Sequence, residues 1–280
     1  MTFQDSPTII IGGIPIYPGE QKRISLPVAM LYTHTPVEMP VHVIHGKKAG
    51  PKLFVCAALH GDELNGIEII RRLLRAPLTR RLKGTLICVP IVNVYGVLEH
   101  SRYLPDRRDL NRSFPGTERG SLAARLADLF MTEVVAKCSY GIDLHTGALH
   151  RTNLPHIRAK LDDPKTAELA RAFGVPVLLN SDFRDGSLRQ AAADSGVTML
   201  LYEAGEALRF DEISIRAGVS GILNVLRRLG MLPAVKKAKK PLAEPVIARS
   251  SLWIRAPQGG ILRARVLLGQ RIEKNTLLGV

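Results

Sequence analysis

Apolar runs rich in branched residues alternate with helix-period segments along most of the chain. KLFVCAAL (52–59), GTLICVPIV (84–92) and YGIDLH (140–145) read as strands, and VPVLLN (175–180) and VTMLLYE (197–203) as two more. Between and after them, ELNGIEIIRRLLR (63–75), AARLADLFMTEVVAKC (123–138), DPKTAELARAF (163–173), SLRQAAADSG (187–196) and a segment from about Glu206 to Leu229 carry the helical period. That alternation predicts an α/β domain over residues 1–231, a mixed and largely buried sheet with helices on both faces.

From Leu232 to Pro245 (LPAVKKAKKPLAEP) the pattern lapses into three prolines and four lysines, which predicts a linker over 232–245. Beyond it, SLWIRAPQGGILRARVLLGQRIEKNTLLGV alternates apolar and polar residues with turn signals at Pro257-Gln258-Gly259-Gly260 and Gly269-Gln270. Residues 246–280 are therefore expected to form a small β domain, similar to half of a biotinyl/lipoyl-type sandwich. It lacks the methionine-flanked lysine that would carry a swinging arm, and it is expected to be cut short, since the pattern breaks off at Val280.

The formal charge of +14 and sequence pI near 10.0 point to acidic partners. The basic residues are scattered over short clusters and only 5% of residues are aromatic, which argues against nucleic acid as the partner. No apolar run reaches the roughly 18 to 20 residues of a membrane helix, and the N-terminus lacks a leader pattern, so no membrane partner is expected and the location is expected to be cytoplasmic. Cys56, Cys88 and Cys138 are odd in number and two lie within apolar strands, so buried thiols are expected rather than a disulfide framework. A homo-oligomer is left open.

The chemistry concentrates in three places. His60-Gly61-Asp62-Glu63 follows a strand directly, so that an imidazole and a carboxylate three apart can face one cleft, a pair that suits zinc at about 2.0 to 2.2 Å. Alone, such a pair also serves helix capping. His145, ending YGIDLH, supplies a third ligand at a strand's carboxyl end, where open α/β sheets build their sites. Two His and one Glu leave a fourth position open, the catalytic rather than the structural arrangement. Asp143, two residues earlier, is either a partner of His145 or a polar strand end. Between them lies Arg102 to Gly116, in which Asn111-Arg112 offers an amide beside a planar fork suited to a carboxylate. No serine-hydrolase elbow, Walker loop or Rossmann glycine fingerprint is present.

HGDE, DLNRSFPG, DLHTG and YEAGE, in that order from about Lys52 to Glu206, resemble the succinylglutamate desuccinylase/aspartoacylase family, a branch of the zinc carboxypeptidase superfamily. The resemblance implies one zinc ion on His60, Glu63 and His145, a substrate carboxylate on Asn111 and Arg112, Arg102 polarising the scissile carbonyl, and Glu203 as general acid and base. Arg107 or Arg108 competes with Arg102 because the segment from Arg102 to Asp109 is longer than in aspartoacylases. Glu206 competes with Glu203, and Arg189 resembles a further substrate-binding arginine. The implied activity is hydrolysis of the amide of an N-acyl amino acid or a related small, carboxylate-bearing substrate. The alternatives are a zinc carboxypeptidase acting on peptide C-termini and a non-catalytic basic binding protein, which would require a ligand or catalytic position to have been lost.

Overall fold

The computed structural model describes residues 6–77, 81–234 and 244–280. A two-stranded hairpin, β1 (Ile9–Ile11) with β2 (Ile14–Ile16), precedes the main sheet. The strands β3 (Gln21–Met30), β4 (Pro36–His45), β5 (Lys52–Ala57), β6 (Thr85–Val89), β7 (Tyr140–Gly147), β8 (Asn153–Ala159), β9 (Val177–Asn180), β10 (Thr198–Glu206) and β11 (Val246–Ala248) form a single sheet among the described residues. Their order is β11-β9-β8-β10-β7-β5-β6-β4-β3. The sheet is mixed: β6-β5-β7-β10 run parallel, while β3, β4 and β8 introduce antiparallel pairs. The central strands are buried on both faces, which is why β5, β6 and β7 read as unbroken apolar runs.

Two clusters of apolar side chains sandwich the sheet. On one face lie α3 (Leu122–Glu133) and α5 (Leu188–Asp194), whose Leu126, Phe130 and Leu188 pack on Phe54, Ile87 and Met199. On the other lie α1 (Asn65–Arg75), α4 (Pro164–Phe173) and α6 (Glu212–Arg228), whose Ile69, Phe173 and Ile222 pack on Val55, Leu144 and Tyr202. A short helix, α2 (Val94–Leu98), follows β6. Helix starts follow their caps: Asp163 and Ser187 accept from the backbone of the first turns of α4 and α5, and Asp211 does so for α6. That last cap corrects one expectation, because β10 runs on to Glu206 and the helix expected from there begins at Glu212. The helix expected through Cys138 ends at Glu133 and gives way to a 3-10 turn over Val135–Lys137.

Residues 235–243, most of the expected linker, lie outside the described residues, and Leu232 at its start is buried in the core. Val246–Ala248, expected with the C-terminal β segment, pairs instead with β9 as the outer strand of the main sheet. Beyond it, the regular pairing described is one antiparallel bridge, Ala264 to Gly279, and most side chains there are exposed. The three cysteines are free and buried. Among the described residues no helix is long and apolar enough to cross a membrane.

Candidate active site

The carboxyl ends of β5, β7 and β10 meet on the α3/α5 side of the sheet and deliver the site. After β5 the chain turns at Ala58, whose φ of 53° is left-handed, and the turn is tied by Val92 and Asn93 N–H groups donating to Ala57 and Ala58. His60 emerges there, and Glu63 sits at the entry to α1. Between them Gly61 donates its N–H to Ser101 O and presses against Gly96: a Cβ at Gly61 would stand 1.8 Å from the Gly96 carbonyl carbon. Only glycine permits this backbone approach, which fixes the spacing of His60 and Glu63.

The three expected ligands converge. His60 Nδ1 lies 2.7 Å from Glu63 Oε1 and His145 Nδ1 lies 2.8 Å from Glu63 Oε2, with all three side chains buried. Thr146 N donates to Glu63 Oε2 at 3.1 Å. The outer ring nitrogens each face a carboxylate, His60 Nε2 at 3.1 Å from Asp109 Oδ1 and His145 Nε2 at 2.7 Å from Asp143 Oδ2. Burial would push the Glu63 carboxyl up, but the two imidazoles more than offset it and hold it well below the usual range. Burial likewise opposes charge on both histidines. Glu63 and Asp109 overcome it at His60, and Asp143 and Glu63 overcome it at His145, so both are raised. One donor atom from each residue falls within 4.8 Å of the others. Two nitrogens and a carboxylate turned inward, with carboxylates behind the histidines, are the donor set and outer shell that suit a divalent metal with an open position.

Arg102 stands beside this cage. Its guanidinium donates to Asp109 Oδ2 at 2.9 and 3.2 Å and reaches to within 3.7 Å of Glu63 Oε1. Arg107 and Arg108, its competitors, are exposed and line no part of the cleft. Asp109 also caps the 3-10 turn Leu110–Arg112 by accepting from Asn111 N at 2.9 Å. Asn111 Oδ1 in turn accepts from Leu188 N at 2.9 Å, which docks the start of α5, and the Arg112 guanidinium donates to Asn111 O.

Glu203, on β10, is in register with His145 on β7 and with His156 on β8. Asn153 Nδ2 donates to Glu203 Oε2 at 2.9 Å, Arg158 Nη1 lies 3.4 Å from Oε1, and His156 Nε2 lies 3.5 Å from Oε2. Glu206 is elsewhere: it accepts from His150 N and Thr152 Oγ1 and holds that loop outside the cleft. Arg189 is buried in the cleft wall, where its guanidinium donates to Ser181 O and Asp182 O; burial and the nearby Arg158 and Arg184 bring it down to about 10. The cleft encloses ≈ 480 Å³, and Trp253 from the C-terminal segment forms part of its wall, with the Arg151 guanidinium 5.2 Å from the ring centroid. Sequence reading missed Asp109, Arg158 and Arg184. For Asp109 a signal existed, an Asp two residues before Asn111 at the head of a tight turn. The two arginines have no local signature.

The catalytic-domain model of the succinylglutamate desuccinylase/aspartoacylase family matches residues 49–229. The chain is 26% identical over 251 residues to the N-alpha-acetyl-L-2,4-diaminobutyric acid deacetylase of Halomonas elongata, across 86% of this chain and 73% of that one. A succinylglutamate desuccinylase/aspartoacylase of Rhodobacter sphaeroides shares the fold with a TM-score of 0.81 at 24% identity, over 93% of this chain and 82% of that chain. The product-bound ectoine utilization protein EutE (DoeB) of Ruegeria pomeroyi does so with 0.82 at 24% identity, over 99% and 86%. The mixed sheet with helices on both faces is the fold of these proteins.

Proposed function

Since the chain belongs to the succinylglutamate desuccinylase/aspartoacylase family, we propose that it is a metal-dependent deacylase that holds one zinc ion on His60, Glu63 and His145 and hydrolyses the amide bond of an N-acyl amino acid. The observation that carries this reading is the approach of two imidazole Nδ1 atoms, at 2.7 and 2.8 Å, to the two oxygens of one buried carboxylate inside an arginine-lined cleft. The deacetylase activity named for the Halomonas relative supports the reaction class.

A zinc ion at these ligands supplies Lewis-acid polarisation of the acyl carbonyl and of a water molecule. The protein does the rest. Arg112, with Asn111 beside it, grips the substrate carboxylate and orients the amide. Arg102, held by Asp109, offers its guanidinium to the oxyanion that develops as the carbonyl carbon is attacked. Glu203 removes the proton of the attacking water and returns it to the nitrogen as the C–N bond breaks, releasing a carboxylate and an amine. Asn153 keeps the Glu203 carboxylate turned to this task.

Metal analysis of the purified protein tests the centre: about one zinc per chain is expected in the wild type and none in His60→Ala or His145→Ala. Glu203→Gln should retain the metal yet lose most turnover, on the order of 10²-fold or more. Near wild-type turnover in Glu203→Gln, or a wild type that takes up no zinc on reconstitution, would overturn the reading. Assaying acyl amino acids beside peptides separates a deacylase from a carboxypeptidase.

A further inference from the structure

A second cavity, of ≈ 360 Å³, opens at the other end of the sheet from the active site. His45, which ends β4, is in register with Thr85 at the start of β6, and Thr85 with Lys52 at the start of β5. The cavity therefore lies at the amino ends of the parallel strands, whereas His60 and His145 stand at the carboxyl ends; the 6 residues of β5 alone span about 20 Å. Four cationic side chains line it, Lys47 and Lys48 from the loop after β4 and Arg81 and Lys83 from the segment before β6, against one carboxylate, Glu20. Glu20 is already engaged: it accepts from Tyr17 N at 2.8 Å and pairs with Lys22 at 3.3 Å. Lys47 Nζ and the Arg81 guanidinium meet no hydrogen-bond or ion-pair partner among the described residues. A concave wall of one sign focuses the field and concentrates anions.

The backbone that carries these cations is clamped. Gly46 N donates to Gly84 O and Gly84 N to Lys48 O, both at 2.8 Å, so the two basic segments are bonded face to face. A Cβ at Gly46 would stand 2.2 Å from Leu82 O, and one at Gly84, whose φ is +75°, would stand 2.0 Å from Pro51 O. Only glycine permits either approach. Lys83 N donates to Met231 O at 2.9 Å, which ties the second segment to the end of α6. The Lys47 stem lies along Gly19, where a Cβ would meet its Cγ at 2.9 Å.

We propose that this cavity is a binding site for a small ligand bearing phosphoryl groups, separate from the active site and independent of the deacylase reading. Cations converging from two segments suit an anion with several charged oxygens, and both point-charge lysines and a forked arginine bind phosphate. Size and lining argue for a small molecule over a polymer: the volume is near the lower end of ligand pockets, about 300–1,000 Å³, and no Phe, Tyr or Trp lines it to stack bases.

Calorimetric titration with inorganic pyrophosphate tests the site, on the zinc-loaded protein and again after treatment with a chelator. Wild type is expected to bind in both forms with Kd below about 1 mM. Lys47→Glu with Arg81→Glu should weaken binding about tenfold or more, the order of one lost charge-assisted bond, and Lys47→Gln with Arg81→Gln by a smaller factor. Arg263→Glu with Arg265→Glu makes the same change in net charge outside the cavity and should leave Kd within about twofold, because salt screens distant charges. Arg112→Ala, in the active-site cleft, should also leave it unchanged. A wild type that does not bind, binding lost with the zinc or in Arg112→Ala, or equal weakening by the two charge reversals overturns the proposal. A protein that binds pyrophosphate in the expected pattern yet hydrolyses no acyl amino acid supports the site and refutes the deacylase reading alone.

Discussion

Adding one methyl group at Gly61 should dismantle the site without touching any atom that does chemistry. The new Cβ would stand 1.8 Å from the Gly96 carbonyl carbon and 2.2 Å from both Gly96 O and Val97 N, all of them backbone, so no side-chain rotation relieves the overlap. Carbon contacts settle at about 3.5–4.0 Å, so the two segments must part by roughly 1.5 to 2 Å. Overpacking of this kind costs about 1–3 kcal/mol, and losing the 2.9 Å bond from Gly61 N to Ser101 O adds about 1 kcal/mol. At roughly 2–4 °C per kcal/mol for a chain of this size, Gly61→Ala should melt about 5–15 °C below wild type. The same displacement separates His60 and Glu63 from Arg102, the neighbour of Ser101. Misplacement of about 1 Å costs on the order of 10²-fold in rate, and zinc occupancy should fall with it. Scanning calorimetry, metal analysis and kcat/KM measure the three effects. Gly259→Ala, where nothing lies within 4 Å, is the control. A Gly61→Ala protein with wild-type melting temperature and full zinc would refute the claim that this contact sets the ligand spacing.

Asp109 supports His60 on one side and Arg102 on the other, so Asp109→Asn should weaken zinc binding about 10- to 100-fold in competition with a chelator, and an unchanged affinity would remove Asp109 from the site. His45 is buried with its ring nitrogens 2.9 Å from Thr85 Oγ1 and from Pro7 O, and burial, only partly opposed by the Pro7 carbonyl, holds it below the ordinary histidine value. Below about pH 6.5 the unfolded chain therefore takes up the proton first. The His45 contribution is present above that pH and is lost as pH falls toward the folded-state value. His45→Gln should flatten the decline of melting temperature between pH 7 and 5 relative to wild type, and parallel curves would count against it.

What the sequence revealed and what it hid divide by range. His60 and Glu63 are three residues apart, and His145 ends a strand whose apolar run is plain, so local periodicity was enough to single out the three side chains that converge in the cleft. The hairpin strands are fainter: β3 buries only Ile24 and Leu26 and is interrupted by Pro27, while β4 alternates exposed and buried positions as a half-buried strand does but carries Pro36 and Pro40 within that period. β8, with Pro155 within it and mostly half-buried side chains, is equally faint. Glu203 and Glu206 compete in the sequence because both lie at the end of one apolar run. The bulge between them, with Gly205 at a φ of +72°, settles where each lies: Glu203 lines the cleft and Glu206 holds a loop. Arg158 and Arg184 are brought together only by pairing β8 with β9 and β10, a fact no single segment records.

The row His145, Glu203, His156 crosses three neighbouring strands on the last regular step before the β10 bulge. Strand spacing in a sheet is about 4.7–4.9 Å, whatever the side chains. The sheet therefore acts as a rack of fixed pitch, on which the separation of the His145, Glu203 and His156 side chains is a property of hydrogen-bonded backbone. The loop from Ser181 to Ser187 hangs off the rack and can be exchanged without altering that pitch. Changes to this loop should therefore alter the cleft wall while leaving the strand ends as they are.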